Sequence, residues 1–237
     1  MRYSQSYLNE MGLWPIYRKK SAQAHAPNSA VVVSDESPSG LNETTINRRD
    51  AIMAADWLVL KESVKTCRAC DLRAGCSQTV FGMGDENANW LFVGEGPGAE
   101  EDQRGEPFVG QAGKLLDNML AAIDLKRDTN VYIANIVKCR PPGNRNPEAG
   151  EAAQCEPYLA RQIELIQPKL IVALGKVAAA NLLNTNAPIG ALRGKVHRYR
   201  DVPLIATYHP AYLLRSLPDK AKAWADLVFA RRTLAES

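Results

Sequence analysis

Nine residues, Trp90-Leu-Phe-Val-Gly94-Glu-Gly-Pro-Gly98, join a short apolar run to a glycine-rich turn, and apolar residues at helical spacing follow over 114–123. This order predicts a strand, a loop and a helix. The order recurs three times, with strand-like runs at 131–134, 170–174 and 202–207 and helical patterns at 148–166, 175–184 and 219–234. Parallel strands need crossover connections, whose helices cover both sheet faces. The pattern therefore predicts an α/β fold with a parallel sheet between helices.

The carboxyl ends of these strands are where such a sheet binds ligands. Glu95, Asn135 and His209 follow or end three of the strands, so we expect them to face one mouth. Phe108 lies between a proline and a glycine-punctuated stretch, where a ring can be presented to a ligand or can fasten the loop to the core. A solvated loop acid is the alternative interpretation for Glu95.

The glycine-rich turn also matches a dinucleotide-binding fingerprint, through Gly94, Gly96 and Ala99. Pro97 interrupts the immediate turn into a helix that pyrophosphate binding requires, and three acids follow where phosphate would bind. A nucleotide-binding enzyme is therefore the weaker interpretation.

The cysteines suggest metal ligation. Cys67 and Cys70 form a C-x-x-C pair, and Cys139 and Cys155 bracket a loop rich in proline and asparagine. Four thiolates suit zinc or a 4Fe–4S cluster equally well on spacing alone. We expect Cys76 to be a free structural thiol.

Composition limits the remaining possibilities. The net charge of +3 over 237 residues is too small to indicate a nucleic-acid partner by itself. Apolar runs such as 170–174 are far shorter than the ~20 residues of a membrane span, and the first residues lack a secretory h-region. We expect an intracellular protein without a membrane partner. Residues 1–55 are predicted to be a flexible extension that can include a short helix near 3–18, and residues 56–237 to be the folded domain.

Taken together, the motifs closely resemble the family-4 uracil-DNA glycosylases. They occur in the family's order over about residues 60–230: Cys67-x-x-Cys70, Val80-Phe-Gly-Met-Gly84, Gly94-Glu-Gly-Pro-Gly98 with Glu101-Asp102, Pro107-Phe-Val-Gly110, Asn135-Ile-Val-Lys-Cys-Arg-Pro-Pro142, and His209-Pro-Ala-Tyr-Leu-Leu-Arg215. Two departures are an alanine where His-Pro-Ser is commoner and the extension at residues 1–55. The resemblance implies a three-layer αβα sandwich around a four-stranded parallel sheet.

The resemblance also implies a monofunctional hydrolase of base excision repair that removes uracil from single- or double-stranded DNA and leaves an abasic site. It implies a 4Fe–4S cluster on Cys67, Cys70, Cys139 and Cys155. The implied catalytic residues are Glu95 and His209, and the implied substrate-binding residues are Gly96, Glu101, Phe108 and Asn135, with Asp102 as a secondary candidate for the pocket wall. Candidate DNA contacts are Lys138, Arg140, Arg145, Lys195 and Arg215 to phosphate, and Leu213 or Leu214 as a wedge in the gap that the flipped base leaves.

We therefore expect a monomer that binds uracil-containing DNA in the cytoplasm, associated with the nucleoid. Residues 1–55 are a candidate segment for binding a protein partner. The alternative is a DNA-binding module that keeps the fold and cluster but has altered or lost glycosylase activity. Glu95, Asn135 and His209 are all present, and this favours the enzyme.

Overall fold

The computed structural model describes residues 47–236. The helix predicted near residues 3–18 lies outside these residues, as does the rest of the predicted extension up to residue 46. In the described part of the chain, six strands form the sheet: β1 Met83–Gly84, β2 Trp90–Gly94, β3 Val131–Asn135, β4 Leu170–Leu174, β5 His197–Tyr199 and β6 Val202–Thr207. The α-helices there are α1 Arg48–Ala54, α2 Trp57–Thr66, α3 Leu72–Gly75, α4 Ala99–Arg104, α5 Gln111–Ala121, α6 Ala149–Ile166, α7 Lys176–Leu183, α8 Ile189–Leu192, α9 Pro210–Leu213 and α10 Lys220–Ala235.

The strand order across the sheet is β1-β3-β2-β4-β6-β5. The four central strands pair in parallel, and this confirms the predicted αβα architecture. Strands β1 and β5 pair antiparallel at the two edges, so the sheet has six strands where four were expected. The edge strands contain two and three residues, too few for an alternating pattern to mark them in the sequence.

Each central strand is apolar because both of its faces are covered. Side chains of one face, including Leu91, Val93 and Ala173, pack with residues of α6 and α7. Side chains of the other face, including Phe92 and Val172, pack with residues of α5 and α10. The two cores alternate along the strands, as the period of two in a strand requires.

The register of the parallel strands aligns their carboxyl ends. Gly94 of β2 lies opposite Asn135 of β3, and Leu174 of β4 lies opposite Thr207 of β6. The loops that leave these four strands therefore begin at one edge of the sheet, where the candidate site lies.

Helix α1 packs against α6. Arg49 forms an ion pair with Glu156 at 2.6 Å, and Ile52 is buried with Tyr158 in a small core. The folded part of the chain thus includes residues that were expected to belong to the extension, and the domain boundary at residue 55 stays a prediction. No helix within residues 47–236 combines the length and apolar character needed to cross a membrane.

Candidate active site

A cleft of about 850 Å³ opens at the carboxyl ends of the parallel strands. Glu95, Phe108, Asn135 and His209 all line it, although they come from four separate loops or strand ends. Glu95, Asn135 and His209, which were expected to face one mouth at the strand ends, thus lie in one cleft, and Phe108 lies there with them. Their chemical roles depend on the geometry of each residue.

Asn135 is the last residue of β3 and is 2% exposed. Its side-chain Oδ1 is buried and has no hydrogen-bond partner among the described residues. A buried acceptor without a partner costs about 1–3 kcal/mol, so a donor from a ligand would be stabilising here. A Cβ at Gly94 would collide with this oxygen, so the amide lies directly over the glycine.

Phe108 adopts a left-handed backbone conformation with φ of 54°. Its ring is 6% exposed and stacks on the His209 ring, with 5.5 Å between the ring centres. Glu101 holds the loop beside it: Oε1 accepts hydrogen bonds from the backbone N–H groups of Val109 and Gly110, at 2.9 and 3.0 Å. Oε2 accepts one from Gly98 at 3.1 Å, which ties the glycine-rich turn to the same carboxylate.

His209 is the N-cap residue of α9. Its Nδ1 accepts a hydrogen bond from the backbone N–H of Ala211 at 3.1 Å, so the neutral ring carries its proton on Nε2. Burial, reinforced by Arg215 and opposed by Glu101, lowers the pKa of His209 to about 4. The ring is therefore a neutral N–H donor at physiological pH.

Glu95 is half-buried and lines the cleft. Burial raises the pKa of its carboxyl group above the ordinary value, and no neighbouring charge opposes that shift. A carboxylate with a raised pKa is a stronger proton acceptor than one in water. The cleft thus combines a base, a neutral donor, a free amide oxygen and an aromatic ring.

The comparisons with known proteins agree on one family. The model of the uracil DNA glycosylase superfamily matches residues 81–228. The chain is 47% identical over 159 residues to the type-4 uracil-DNA glycosylase of Archaeoglobus fulgidus, covering 64% of this chain and 79% of the relative. It is 44% identical over 160 residues to the type-4 enzyme of Thermotoga maritima, covering 67% and 83%.

The chain belongs to the type-4 uracil-DNA glycosylase family. A type-5 uracil-DNA glycosylase of Pyrobaculum aerophilum is more distant, at 31% identity over 195 residues, with 74% of this chain and 85% of the relative covered. The family resemblance seen in the motifs is confirmed.

The four cysteines that the type-4 family resemblance implies as ligands line a second, small pocket of about 20 Å³. Cys67, Cys70, Cys139 and Cys155 all face it, and Cys76 does not line it. No group of three or more His, Cys, Asp or Glu side chains in residues 47–236 has a metal-holding arrangement. Burial raises the pKa of Cys155 to about 11, opposed by Lys138, whose backbone N–H lies 3.3 Å from the Cys155 Sγ.

The position of the Lys138 side chain contradicts its predicted contact with DNA phosphate. The side chain is 2% exposed, and its Nζ donates to the backbone oxygen of Asn135 at 3.0 Å and to Gln162 Oε1 at 2.7 Å. A cation enclosed in this way cannot reach a phosphate at the surface. The prediction for Lys138 is wrong, because a basic motif residue was taken for an exposed one.

Leu213 and Asp102 also need correction. Leu213 is 1% exposed, so it cannot wedge into DNA, whereas the neighbouring Leu214 is 43% exposed. Asp102 is 4% exposed and accepts hydrogen bonds from the backbone N–H groups of Ser77 and Gln78, so it anchors a loop and does not line the cleft. Gly96, Glu101, Arg145 and Arg215 do line the cleft, and Arg140 and Lys195 lie outside its lining.

Sequence reasoning did not select several residues of the site. Lys176, Tyr208 and Tyr212 line the cleft. Lys176 comes two positions after the end of β4, so the strand-end argument applied to the fourth strand would have found it. Arg127, which hydrogen-bonds the loop of Phe108, carries no signal in the sequence because it lies far along the chain.

Proposed function

We propose that this protein is a monofunctional uracil-DNA glycosylase of base excision repair, which hydrolyses the N-glycosidic bond of a flipped-out deoxyuridine and leaves an abasic site. The observation that carries the proposal is the unpartnered Oδ1 of Asn135 in a cleft shared with Glu95 and His209. A base within a duplex is out of reach, so the nucleotide must be extruded or presented in a single strand.

Asn135 selects the base by the direction of its hydrogen bonds. Oδ1 accepts from uracil N3–H, and the amide N–H donates to uracil O4. Cytosine has an acceptor at N3 and a donor at its exocyclic nitrogen, so it would leave the buried amide unpaired on both sides. Unpaired buried groups are the basis of strong rejection in polar sites. Phe108 stacks on the ring of the extruded base.

His209 stabilises the leaving group. When the bond between uracil N1 and the sugar C1′ breaks, the electron pair stays on uracil and negative charge collects at O2. The neutral ring donates its Nε2 proton as a hydrogen bond to O2, with help from the backbone N–H of Gly96. Donors of this kind contribute about 3–4 kcal/mol each in other enzymes. A neutral donor keeps its proton and avoids placing a full cation in a buried site.

Glu95 acts on the sugar side of the same bond. Its carboxylate offsets the positive charge that develops at C1′ and accepts a proton from the attacking water, whose oxygen bonds to C1′. The raised pKa of Glu95 favours this proton transfer. Uracil leaves as the anion and is protonated on release, so hydrolysis is complete without a covalent enzyme intermediate.

DNA is held by local contacts, since the net charge of the chain is only +3. Arg145 and Arg215 are exposed at the cleft, and Arg140 and Lys195 are the other candidate phosphate contacts. The exposed Leu214 is the candidate wedge for the gap that the extruded base leaves. Lys138 and Leu213 are not part of this surface.

The donor set of the small pocket, four thiols, matches the ligand chemistry of a 4Fe–4S cluster. Lys138 supports this assignment: its buried ammonium group has no carboxylate partner within the described residues, its charge interacts with the Cys155 thiol, and its backbone N–H lies 3.3 Å from Cys155 Sγ. Thiolates bound to a metal would provide the missing negative charge. Such a cluster would cross-link the Cys67–Cys70 segment to the loop of Cys139 and to α6, and no step of the proposed hydrolysis uses it.

A single assay tests the proposal. Single- and double-stranded oligonucleotides with one uracil are incubated with the protein, and strand scission is measured with and without alkali. We expect scission only after alkali, because a monofunctional enzyme leaves an intact abasic strand. Asn135→Ala should lose nearly all excision, whereas Asn181→Ala, on the exposed side of α7, should keep it. Binding without any excision by the unmodified protein would favour the alternative, a DNA-binding module.

The monomeric state, the nucleoid-associated location and a protein partner for residues 1–55 stay predictions. These three predictions concern the assembly and location of the protein and do not affect the chemistry proposed for the cleft.

A further inference from the structure

Tyr212 is an aromatic residue at the cleft that the proposed chemistry does not use. It belongs to α9 and lines the cleft, yet 38% of its surface is exposed. Its ring stacks on the Tyr208 ring, with 5.1 Å between the centres and 25° between the planes. Neither tyrosine belongs to the hydrophobic cores of the described residues. A packing role in the core therefore does not explain the pair.

The Tyr212 ring is held in place despite its exposure. Its hydroxyl donates a hydrogen bond to Asp219 Oδ2 at 2.6 Å. The same oxygen accepts from Ser216 Oγ at 2.8 Å, and Asp219 Oδ1 forms an ion pair with Lys222 at 2.8 Å. These contacts lower the pKa of Asp219 well below its usual range, so the acceptor stays ionised.

The Tyr208 ring, on which Tyr212 stacks, is also supported. The guanidinium of Arg193 lies 4.7 Å from the centre of that ring. Arg193 in turn donates to the buried Asp226 Oδ2 at 2.6 Å and to the backbone oxygen of Lys222 at 2.6 Å. Asp219 thus fixes the Tyr212 ring, and Arg193 fixes the Tyr208 ring. Because both side chains are already ordered, they lose little conformational entropy when a ligand stacks on them.

We propose that Tyr212 is a stacking platform for the nucleobase adjacent to the excised uracil in the same DNA strand. Extrusion of uracil removes one stacking partner from that neighbour, and an exposed ring at the edge of the cleft can replace it. Aromatic side chains in single-strand binding proteins stack on bases without regard to sequence, because every base presents a π face. The cation Arg215, three positions away, also lines the cleft and suits the phosphate of that neighbour.

Tyr212 and Phe108 differ in their exposure and in the part of the cleft that they line. Phe108 is 6% exposed and contacts His209, so it belongs to the part of the cleft where the bond is broken. Tyr212 is six times more exposed and is accessible to a nucleotide that remains in the strand. This inference rests on the proposed uracil-DNA glycosylase function and adds a subsite to it.

The test is a coupling experiment on single-stranded DNA. Oligonucleotides carry a non-hydrolysable 2′-fluoro-deoxyuridine, and the nucleotide on its 5′ or 3′ side has either its base or a tetrahydrofuran spacer. Affinity is measured for the unmodified protein, Tyr212→Phe, Tyr212→Ala and the control Trp224→Ala. Trp224 is 46% exposed, similar to Tyr212, but does not line the cleft.

The expected result is a loss of roughly 10-fold in affinity when one of the two neighbouring bases is removed, for the unmodified protein, Tyr212→Phe and Trp224→Ala. Tyr212→Ala should bind the complete oligonucleotide about as weakly as the unmodified protein binds the spacer oligonucleotide. It should then lose little more when that base is removed. Thermal unfolding of each variant shows whether the fold is retained. Tyr212→Phe separates the two contributions of the side chain, because it keeps the ring and loses the hydrogen bond to Asp219.

Two outcomes would overturn the inference, and they can be told apart. If Tyr212→Ala weakens binding by the same factor with and without each neighbouring base, the ring does not contact a base and only this inference fails. If the unmodified protein excises no uracil from the matching hydrolysable oligonucleotide, the proposed function fails and the inference fails with it.

Discussion

The guanidinium of Arg127 donates a hydrogen bond to the backbone oxygen of Phe108 at 2.6 Å. A second nitrogen of the same group donates to the oxygen of Pro107 at 2.9 Å, and Nε is paired with Asp117 of α5. A left-handed backbone at a residue other than glycine costs on the order of 1–3 kcal/mol unless its surroundings fix it. Arg127 therefore holds the Phe108 ring at the cleft from a loop 19 positions along the chain.

Replacement of Arg127 should impair substrate stacking more than the chemical step. We expect Arg127→Ala to raise KM for uracil excision several-fold with a smaller change in kcat, and to lower the free energy of unfolding by about 1–3 kcal/mol, because the two carbonyl oxygens lose their donors. Arg127→Lys should recover only part of the loss, since an ammonium cannot donate as a planar fork. Steady-state kinetics and urea unfolding measure both effects.

The matched control is Arg231→Ala, which removes an ion pair between exposed groups, Arg231 and Asp124. It should change neither stability nor kinetics appreciably. An unchanged KM in Arg127→Ala would mean that the Phe108 loop keeps its conformation without the guanidinium.

Gly94 leaves room for the side-chain amide of Asn135. A Cβ there would collide with Asn135 Oδ1 and lie 2.6 Å from Phe108 Cζ. We expect Gly94→Ala to reduce excision at least 100-fold, because the Asn135 side chain and the Phe108 ring must both move. Gly150→Ala is the control, since a Cβ at Gly150 meets nothing within 4 Å and alanine is the better helix former. Excision by Gly94→Ala at the normal rate would contradict the placement of Asn135 over Gly94.

Much of the fold follows from local pattern. Runs such as Leu170–Leu174 are apolar at every position because the strand is buried on both faces, and the sequence records that directly. Strand β5, at His197–Tyr199, is short and partly exposed, so its pairing depends on the neighbouring β6 and not on its own residues. The two edge strands were therefore missed for a physical reason.

The candidate site also contains some residues that the sequence could predict and others that it could not. Glu95, Asn135 and His209 could be found because the end of a parallel strand fixes their location. Burial could not be inferred: Lys138 and Arg145 follow the same strand, yet Lys138 is enclosed by Gln162 and Arg145 is exposed. Long-range hydrogen bonds such as that from Arg127 depend on tertiary packing, which no local pattern encodes.

His209 should make stability depend on pH. Its pKa is about 4 in the folded protein against about 6.5 unfolded, so the folded state binds fewer protons between these values. Its contribution is complete above pH 6.5 and is lost as the pH falls towards 4, by roughly 3 kcal/mol. We expect His209→Gln to lack this part of the pH dependence in urea unfolding measured from pH 4 to 8. His197→Gln is the control, because His197 lies on an edge strand. An identical pH profile in His209→Gln and the unmodified protein would refute the neutral, buried state of His209.

Cys155 provides the sharpest test of the cluster, because its thiol lies beside the backbone N–H of the buried Lys138. We expect the purified protein to be brown and to contain about four irons per chain. Cys155→Ser should lose most of that iron and unfold at a lower temperature, since the link between α6 and the loop of Cys139 is broken. Cys76→Ser is the matched control: Cys76 is buried near Cys139 but does not line the pocket, so iron content should be retained. Iron analysis and visible absorption measure the outcome. A colourless protein containing zinc would correct the metal, and equal iron loss in Cys76→Ser would correct the set of ligands.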